Sequence, residues 1–329
     1  MEIYRRLVGV NPAAFEPDLA SALNNLGNRL SDLGRWEEAL GATVEAVEIY
    51  RRLIGVNPAA FKPNLARALN DLGIRLSDLG RREEALGVGV EAVEIYRRLL
   101  GVNPAAFEPD VALALTNLSA ALSSVGRRED ALSATVEAVE IYRRLLGVNP
   151  AAFEPDVALA LTNLSADLSS LGRREEALGA VVEVVQIWRR LVGVNPVAFE
   201  SRLAWSLVNL GIRLSDLGRR EDALSATVEA VEIYRRLAGV NLAAFEPDLA
   251  RGLSCFAWVR VSGQVELPQA LTAAEESVAI YESLVQRLPQ AFTNAFCGAL
   301  DILADVYDGL ERSEEAAQVR HRVDQLEGE

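Results

Sequence analysis

Apolar residues recur every three or four positions along most of the chain, which is the spacing of one face of an α-helix. In residues 15–34 the apolar stripe consists of Leu19, Leu23, Leu26, Leu30 and Leu33. A second stripe extends from Ala39 to Leu53, and Gly34 separates the two. The pattern predicts two amphipathic helices, here called A and B, joined at a left-handed glycine cap.

This helix pair repeats with a period of 46 residues. The segment EIYRRL begins at Glu2, Glu48, Glu94, Glu140 and Glu232; QIWRRL takes the same place at Gln186, and AIYESL follows at Ala279 after a one-residue insertion. The A helices are predicted to begin near residues 16, 62, 108, 154, 200, 246 and 290. One pair cannot bury both of its stripes, so neighbouring pairs must stack. We therefore expect an all-α array of about seven antiparallel helix pairs.

The regularity of the repeats changes along the chain. Residues 1–241 contain regular repeats, and residues 1–9 look like the end of a B helix whose A partner is missing, or like a short cap. Residues 242–329 contain degenerate repeats and a charged helix expected to cap the array, within the same continuous solenoid. Arg260 occupies a position that is leucine in the first repeat, so we expect either a kink or a partner for its charge.

The small residues of each pair resemble the pattern of the tetratricopeptide repeat. The matching positions in the first pair are Leu23, Leu26, Gly27, Leu30, Gly34, Ala39 and Ala46. The period exceeds the family's usual ~34 residues, and is most similar to that of kinesin light chains and of multidomain bacterial signalling proteins. The resemblance implies a right-handed α-solenoid, or superhelix, whose A helices line a concave groove. It also implies a non-catalytic scaffold that binds a protein or peptide, as the sensor of a larger signalling protein.

One polar position of helix A carries mostly side-chain amides. This series, here called the amide ladder, is Asn25, Asp71, Asn117, Asn163 and Asn209, and it ends at Cys255. An amide both donates and accepts, so it can pair with the backbone of an extended peptide whatever the peptide's side chains are. The array of O-GlcNAc transferase is similar in using asparagines in this way. The alternative is that the ladder bonds adjacent A helices and holds the stack.

The face of helix A opposite the leucine stripe becomes apolar along the chain. In the first two repeats it carries the polar residues Asn24, Asn28 and Asn70, which we expect to point away from the core. Later repeats place Leu113, Leu159, Trp205 and Trp258 on this face. Exposed tryptophans and a continuous apolar surface are typical of binding hot spots. Together with the amide ladder, these residues form the predicted peptide-binding groove, unless the apolar side chains pack on one another.

Charge and composition narrow the range of partners. The net charge of −14 and the pI of about 4.8 argue against nucleic acid or an anionic membrane surface as the main partner. Two cysteines without a CxxC motif fit a reducing compartment, and we expect a cytoplasmic protein. No apolar run is long enough to span a membrane. His321 is the only histidine, and the carboxylates lack metal-loop spacing, so we expect no catalytic residue, no metal and no cofactor.

Two functions remain after these exclusions. The first is a non-catalytic scaffold whose concave groove binds an extended peptide or partner segment. The second is a structural spacer or self-associating array without a dedicated peptide ligand. The near-identity of residues 94–139 and 140–185 favours the second, because a groove adapted to one ligand would diversify. The apolar face between Leu113 and Trp258 favours the first.

Overall fold

The computed structural model describes the backbone of residues 1–327, which contains fifteen helices and no strand. The A helices are α2 (Pro12–Asp32), α4 (Pro58–Asp78), α6 (Pro104–Ser124), α8 (Pro150–Ser170), α10 (Pro196–Asp216), α12 (Leu242–Gly263) and α14 (Pro289–Gly309). The B helices are α3 (Trp36–Ile54), α5 (Arg82–Leu100), α7 (Arg128–Leu146), α9 (Arg174–Val194), α11 (Arg220–Val240), α13 (Leu267–Arg287) and α15 (Ser313–Glu327), and α1 (Glu2–Val10) precedes them all. The all-α prediction is confirmed. Gly328 and Glu329, at the end of the predicted C-terminal segment, lie outside the described residues.

The chain divides into two compact units, Met1–Gly172 and Arg173–Glu329, here called unit 1 and unit 2. Within each unit every helix packs against the next one in sequence. The A helices also pack side by side, as α2, α4, α6 and α8 in unit 1 and as α10, α12 and α14 in unit 2. The helix pairs therefore stack as predicted, whereas the boundary at residue 241 between regular and degenerate repeats stays a prediction.

An Asn-Pro pair starts most of the A helices. Asn11 precedes α2, its Oδ1 accepts the backbone N–H of Ala14 at 3.3 Å, and Pro12 is the first helical residue. The prediction that α2 begins near residue 16 is therefore wrong by about one turn. Pro17, next to the predicted start, lies inside the helix, where it removes one backbone hydrogen bond. The stronger start signal was the Asn-Pro pair, which supplies both a cap and a first-turn proline.

The turn from A to B is a glycine cap in the regular repeats. Gly34 has a φ of +71°, and the N–H of Arg35 reaches back to the Leu30 carbonyl at 2.9 Å. Equivalent glycines at positions 80, 126, 172 and 218 also have positive φ. The predicted left-handed cap is confirmed. In the degenerate repeats the left-handed residues are Gln264, Glu266 and Glu311 instead.

Gly27 allows helices A and B to approach closely. A Cβ atom at this position would overlap the hydroxyl of Thr43 and would lie 3.2 Å from the Ala39 carbonyl. Ala39 itself is fully buried. Small residues at these positions thus set the separation of α2 and α3.

The buried Arg260 has a partner. Its guanidinium lies 3.3 Å from Glu266 and 3.4 Å from the centre of the Phe256 ring. It is 3 % exposed, and burial lowers its pKa while Glu266 opposes that shift. Of the two outcomes expected for this residue, the structure shows the pairing.

Candidate functional site

The amide ladder of unit 1 connects consecutive A helices. The bonds are Asn24 Nδ2 to Asp71 Oδ2 at 2.6 Å, Asn117 Nδ2 to Asn70 Oδ1 at 3.0 Å, and Asn163 Nδ2 to the Thr116 carbonyl at 3.1 Å. Each bond joins one repeat to the preceding one, so the ladder contributes to stacking. A side-chain amide has two N–H groups and one oxygen. One stacking bond therefore leaves Asn117 and Asn163 with further capacity for a ligand, and their peptide-binding role stays a prediction.

Two of the candidate asparagines are buried. Asn24 and Asn70 are 8 % and 7 % exposed, although the sequence pattern placed them on the face that points away from the core. The neighbouring A helix covers this side of each one, because Asn24 contacts α4 and Asn70 contacts α6. Asn25, by contrast, is exposed. The expectation that Asn24 and Asn70 face outward is thus corrected, and both are better described as contacts between helices.

Asn28 also takes part in the contact between α2 and α4. Its Oδ1 accepts a bond from Arg75 Nη2 at 2.8 Å, and Arg75 Nη1 donates to Ser31 Oγ at 2.9 Å. Arg75 is only 9 % exposed and also lies 3.6 Å from Asp78. The sequence analysis did not identify Arg75 as a bridge. The available signal in the sequence was the long, charged side chain of Arg75 at a position outside the apolar stripe of its helix.

Leu113 and Leu159 stay accessible in the stack. They are 44 % and 38 % exposed, and Ala120 and Ala166 on the same helix faces are exposed as well. By contrast, Leu115 on α6 and Leu161 on α8 are each only 1 % exposed. The stack therefore leaves an apolar surface on α6 and α8 that the fold itself does not use.

Two half-buried aspartates, Asp110 and Asp156, lie at one end of this surface. Within residues 1–327, neither Asp110 nor Asp156 forms a hydrogen bond or a salt bridge. Burial raises the pKa of both carboxyls, and only Asp110 has a nearby cation, Arg67, that opposes the shift. Burial also raises the pKa of Asp71, against the bond from Asn24. Asp110 and Asp156 were not among the predicted site residues, although they occupy equivalent positions one period apart.

Two of the three candidate residues of unit 2, Trp205 and Trp258, are aromatic and partly exposed. The Arg251 guanidinium lies 5.8 Å from the Trp205 ring centre, and Trp258 lines an open depression of about 530 Å³. Asp305 and Asp308 line the same depression. Trp205, Trp258 and Asn209 are all half-buried. The arrangement provides aromatic surface beside carboxylates.

The end of the amide ladder is a buried thiol. The Cys255 Sγ lies 3.8 Å from the Val208 carbonyl, so a weak thiol contact replaces the amide bond. Burial raises the pKa of Cys255 to about 12. Cys297 is buried too, and neither cysteine forms a disulfide within residues 1–327. A thiol with this pKa is almost wholly protonated at neutral pH and is a poor nucleophile.

Among residues 1–327 no cluster of histidine, cysteine and carboxylate side chains is arranged to hold a metal ion. His321 is exposed and lies 3.1 Å from Gln325. No helix within the described residues combines the length and the apolar character needed to cross a bilayer.

Family models place the sequence among known repeats. Two tetratricopeptide repeat models match residues 18–98 and residues 111–152, 157–197 and 203–241, which together are more than half of the chain. A comparison of the sequence with curated proteins returns no significant match.

Solved structures show the same fold at low sequence identity. The chain is similar to BtubC (BKLC) from P. vanneervenii, with 19 % identity over 75 % of this chain and 91 % of that one, at a TM-score of 0.57. It is similar to a Rap protein complexed with Competence and Sporulation Factor, with 17 % identity over 93 % and 74 % of the chains and a TM-score of 0.62. A third similar structure is a signal transduction ATPase with numerous domains and a tetratricopeptide repeat sensor, from Pyrococcus horikoshii. Identity to it is 13 % over 98 % of this chain and 43 % of that chain, with a TM-score of 0.61.

Proposed function

This chain belongs to the tetratricopeptide repeat family, and we propose that it is a non-catalytic scaffold that binds an extended peptide on the outward face of its A helices. In this family that face lines the concave groove. The observation that carries the proposal is the accessibility of Leu113 and Leu159 beside Asn117 and Asn163. Apolar surface with adjacent backbone-pairing amides suits an extended peptide, because the amides bond its main chain and the leucines contact its side chains.

The similar structures support a peptide or protein as the partner. One is a Rap protein complexed with Competence and Sporulation Factor, and another is a Rap conjugation regulator in complex with the Phr* peptide. The similar ATPase carries its tetratricopeptide repeat as a sensor. We propose by analogy that the present array recognises its ligand as the sensor part of a larger signalling protein.

The peptide-binding proposal is tested by selecting peptides from a random display library on the wild-type protein. Binding of the selected peptides is then measured for Leu113→Ser/Leu159→Ser. We expect this variant to lose at least about tenfold in affinity, as truncation of hot-spot residues does. The control is Val90→Ser/Val136→Ser, which removes two valines of similar exposure, 39 % and 41 %, from B helices. Equal binding by the two variants would overturn the proposal.

Substitution of the ladder asparagines requires a stability measurement alongside binding. Asn117→Ala/Asn163→Ala removes stacking bonds as well as ligand contacts. We expect weaker peptide binding even at temperatures where this variant is fully folded by circular dichroism. If the folded variant binds like wild type, the ladder serves stacking alone.

A second candidate function, self-association, is favoured by a row of exposed valines. Val10, Val56, Val102 and Val148, one before each A helix of unit 1, are 83–84 % exposed. A second copy would present the same row at the same spacing. Sedimentation velocity across a wide concentration range tests this function. A mass that rises with concentration, and that Val56→Lys/Val102→Lys returns to the monomer, would support it, and a constant monomer mass would exclude it.

A further inference from the structure

The helices α6 and α8 carry the same outward residues in the same order. The two rows, here called the duplicated strip, are Asp110, Leu113, Asn117, Ala120 and Ser124 on α6, and Asp156, Leu159, Asn163, Ala166 and Ser170 on α8. Alternating steps of three and four residues place each row on one face of its helix. Every member is exposed or half-buried. The strip is therefore one accessible surface presented twice.

The two rows lie side by side and in register. Asn163 Nδ2 bonds the Thr116 carbonyl at 3.1 Å, and Ser123 Oγ bonds Asp167 Oδ1 at 2.6 Å. Both bonds join residues about one repeat apart, so α6 and α8 run parallel without a shift. Packed helices lie about 8–10 Å apart. A ligand that crosses both helices meets the same chemistry twice at that distance.

The separation of about 8–10 Å between the two helices determines which ligand conformation can place equivalent side chains on both rows. A polyproline II helix rises about 3.1 Å per residue with three residues per turn, so residues i and i+3 point the same way and lie about 9 Å apart. In a β-strand residues i and i+3 point to opposite faces, and the same-face spacings of about 7 and 13 Å do not match. An α-helical ligand repeats at about 10 Å over seven residues, but its own backbone hydrogen bonds are already made. Only the polyproline II ligand also presents free backbone groups to Asn117 and Asn163.

The side chains of each row select the residues of the ligand. Leu113 and Leu159, with the small Ala120 and Ala166 nearby, offer contact area for an aliphatic side chain. Each leucine lies one helical turn from an aspartate, Asp110 or Asp156, that has no hydrogen bond or salt bridge among the described residues. Arg67 acts on Asp110 from nearby, whereas no cation within residues 1–327 acts on Asp156, and a half-buried carboxylate is stabilised further when a cation bonds it directly. Each row therefore favours one aliphatic and one basic side chain.

We propose that the duplicated strip binds a polyproline II segment with a three-residue repeat that has one aliphatic and one basic residue in each triplet. This inference rests on the proposed peptide-binding function and specifies the ligand for it. Successive triplets place equivalent side chains on α6 and α8, and the asparagines bond the ligand backbone between them. The net charge of −14 favours the approach of such a basic ligand.

The probe for this proposal is a peptide of four Leu-Pro-Lys triplets, titrated against the full chain by isothermal titration calorimetry. Two further peptides are compared with it, one of the same composition in scrambled order and one with Glu in place of each Lys. We expect both to bind at least about tenfold more weakly than the probe. Scrambling removes the match to the helix spacing, and Glu places like charges beside Asp110 and Asp156.

Substitutions test whether the duplicated strip causes the difference in binding between the Lys and Glu peptides. Asp110→Asn/Asp156→Asn is expected to reduce the discrimination between the Lys and Glu peptides. The control Glu83→Gln/Glu129→Gln removes the same charge from exposed first-turn positions of B helices and should retain the discrimination. If both variants behave alike, the strip is not the site of recognition.

The outcome separates this inference from the function on which it rests. If library-selected peptides need Leu113 and Leu159 but the triplet probe binds no better than its scrambled form, the triplet ligand is wrong and peptide binding stands. If no peptide needs these leucines, both proposals fail. Probe binding that depends on triplet order, on Lys and on Asp110 and Asp156 supports the inference.

Discussion

Two glycines at equivalent positions of helix A meet different surroundings. Gly27 lies against Thr43, whereas the residue equivalent to Thr43 in the second repeat is Gly89. The closest atom to a Cβ at Gly73 would be Val88 Cγ2 at 3.5 Å, an ordinary contact distance. Glycine is therefore sterically required at position 27, whereas position 73 has room for a larger side chain.

We expect Gly27→Ala to lower the free energy of unfolding by about 1–3 kcal/mol, because α2 and α3 must separate to admit the methyl group. Gly73→Ala should instead raise it by up to about 1 kcal/mol, since alanine is the better helix former and has room there. Urea denaturation of the two variants measures both changes. The same sign for both would show that the local clash does not control the stability. In the third repeat the equivalent residues are Ser119 and Thr135, and both are buried, so the fold holds a side chain larger than glycine at this position.

At the scale of the elements, the contact between α6 and α8 contains a buried carboxylate. Asp167 is 4 % exposed and accepts bonds from Ser123 Oγ and Thr135 Oγ1, each at 2.6 Å. Burial raises its pKa above the usual aspartate value, against the effect of these two bonds. The equivalent residue of the preceding repeat is Ala121, so the fold also accepts a small apolar side chain there.

We expect Asp167→Ala to change how stability depends on pH. Because the folded pKa of Asp167 is raised, the folded state binds its proton more readily than the unfolded state. The contribution of Asp167 to stability is therefore largest at low pH and falls as pH rises through the raised pKa. Thermal unfolding of both proteins between pH 4 and 7 should show the wild type gaining stability relative to the variant as pH falls. A difference independent of pH would contradict the assignment.

At the scale of the whole molecule, charge dominates the expected association kinetics. A net charge of −14 produces an attractive field for a cationic peptide, and salt screens that field over about 10 Å at 0.1 M. We expect the association rate of the Leu-Pro-Lys peptide to fall as ionic strength rises, while its dissociation rate changes less. Stopped-flow measurements with a labelled peptide separate the two rates. An association rate that does not respond to salt would show that the molecular field does not steer this ligand.

Much of the fold follows from the sequence because its signals are local. The leucine spacing, the glycine caps and the 46-residue period identify the helices, their pairing and their stacking. The sequence also contained the correct start signal for α2, the pair Asn11-Pro12, although we predicted a start near residue 16, next to Pro17. The predicted start of a helix is uncertain by about one turn where two start signals lie close together in the sequence.

The sequence by itself determined which side of each helix faces its own partner within a pair, since that side follows from residues three and four positions apart. Only the tertiary structure decided what happens to the remaining sides. Asn24 and Asn70 became buried contacts, whereas Leu113 and Leu159 stayed accessible beside the half-buried Asp110 and Asp156. The physical reason is that helix A packs against A helices of adjacent repeats as well as against its own B helix. Those neighbours lie about one repeat away in the chain, beyond what the periodicity of a single helix can report.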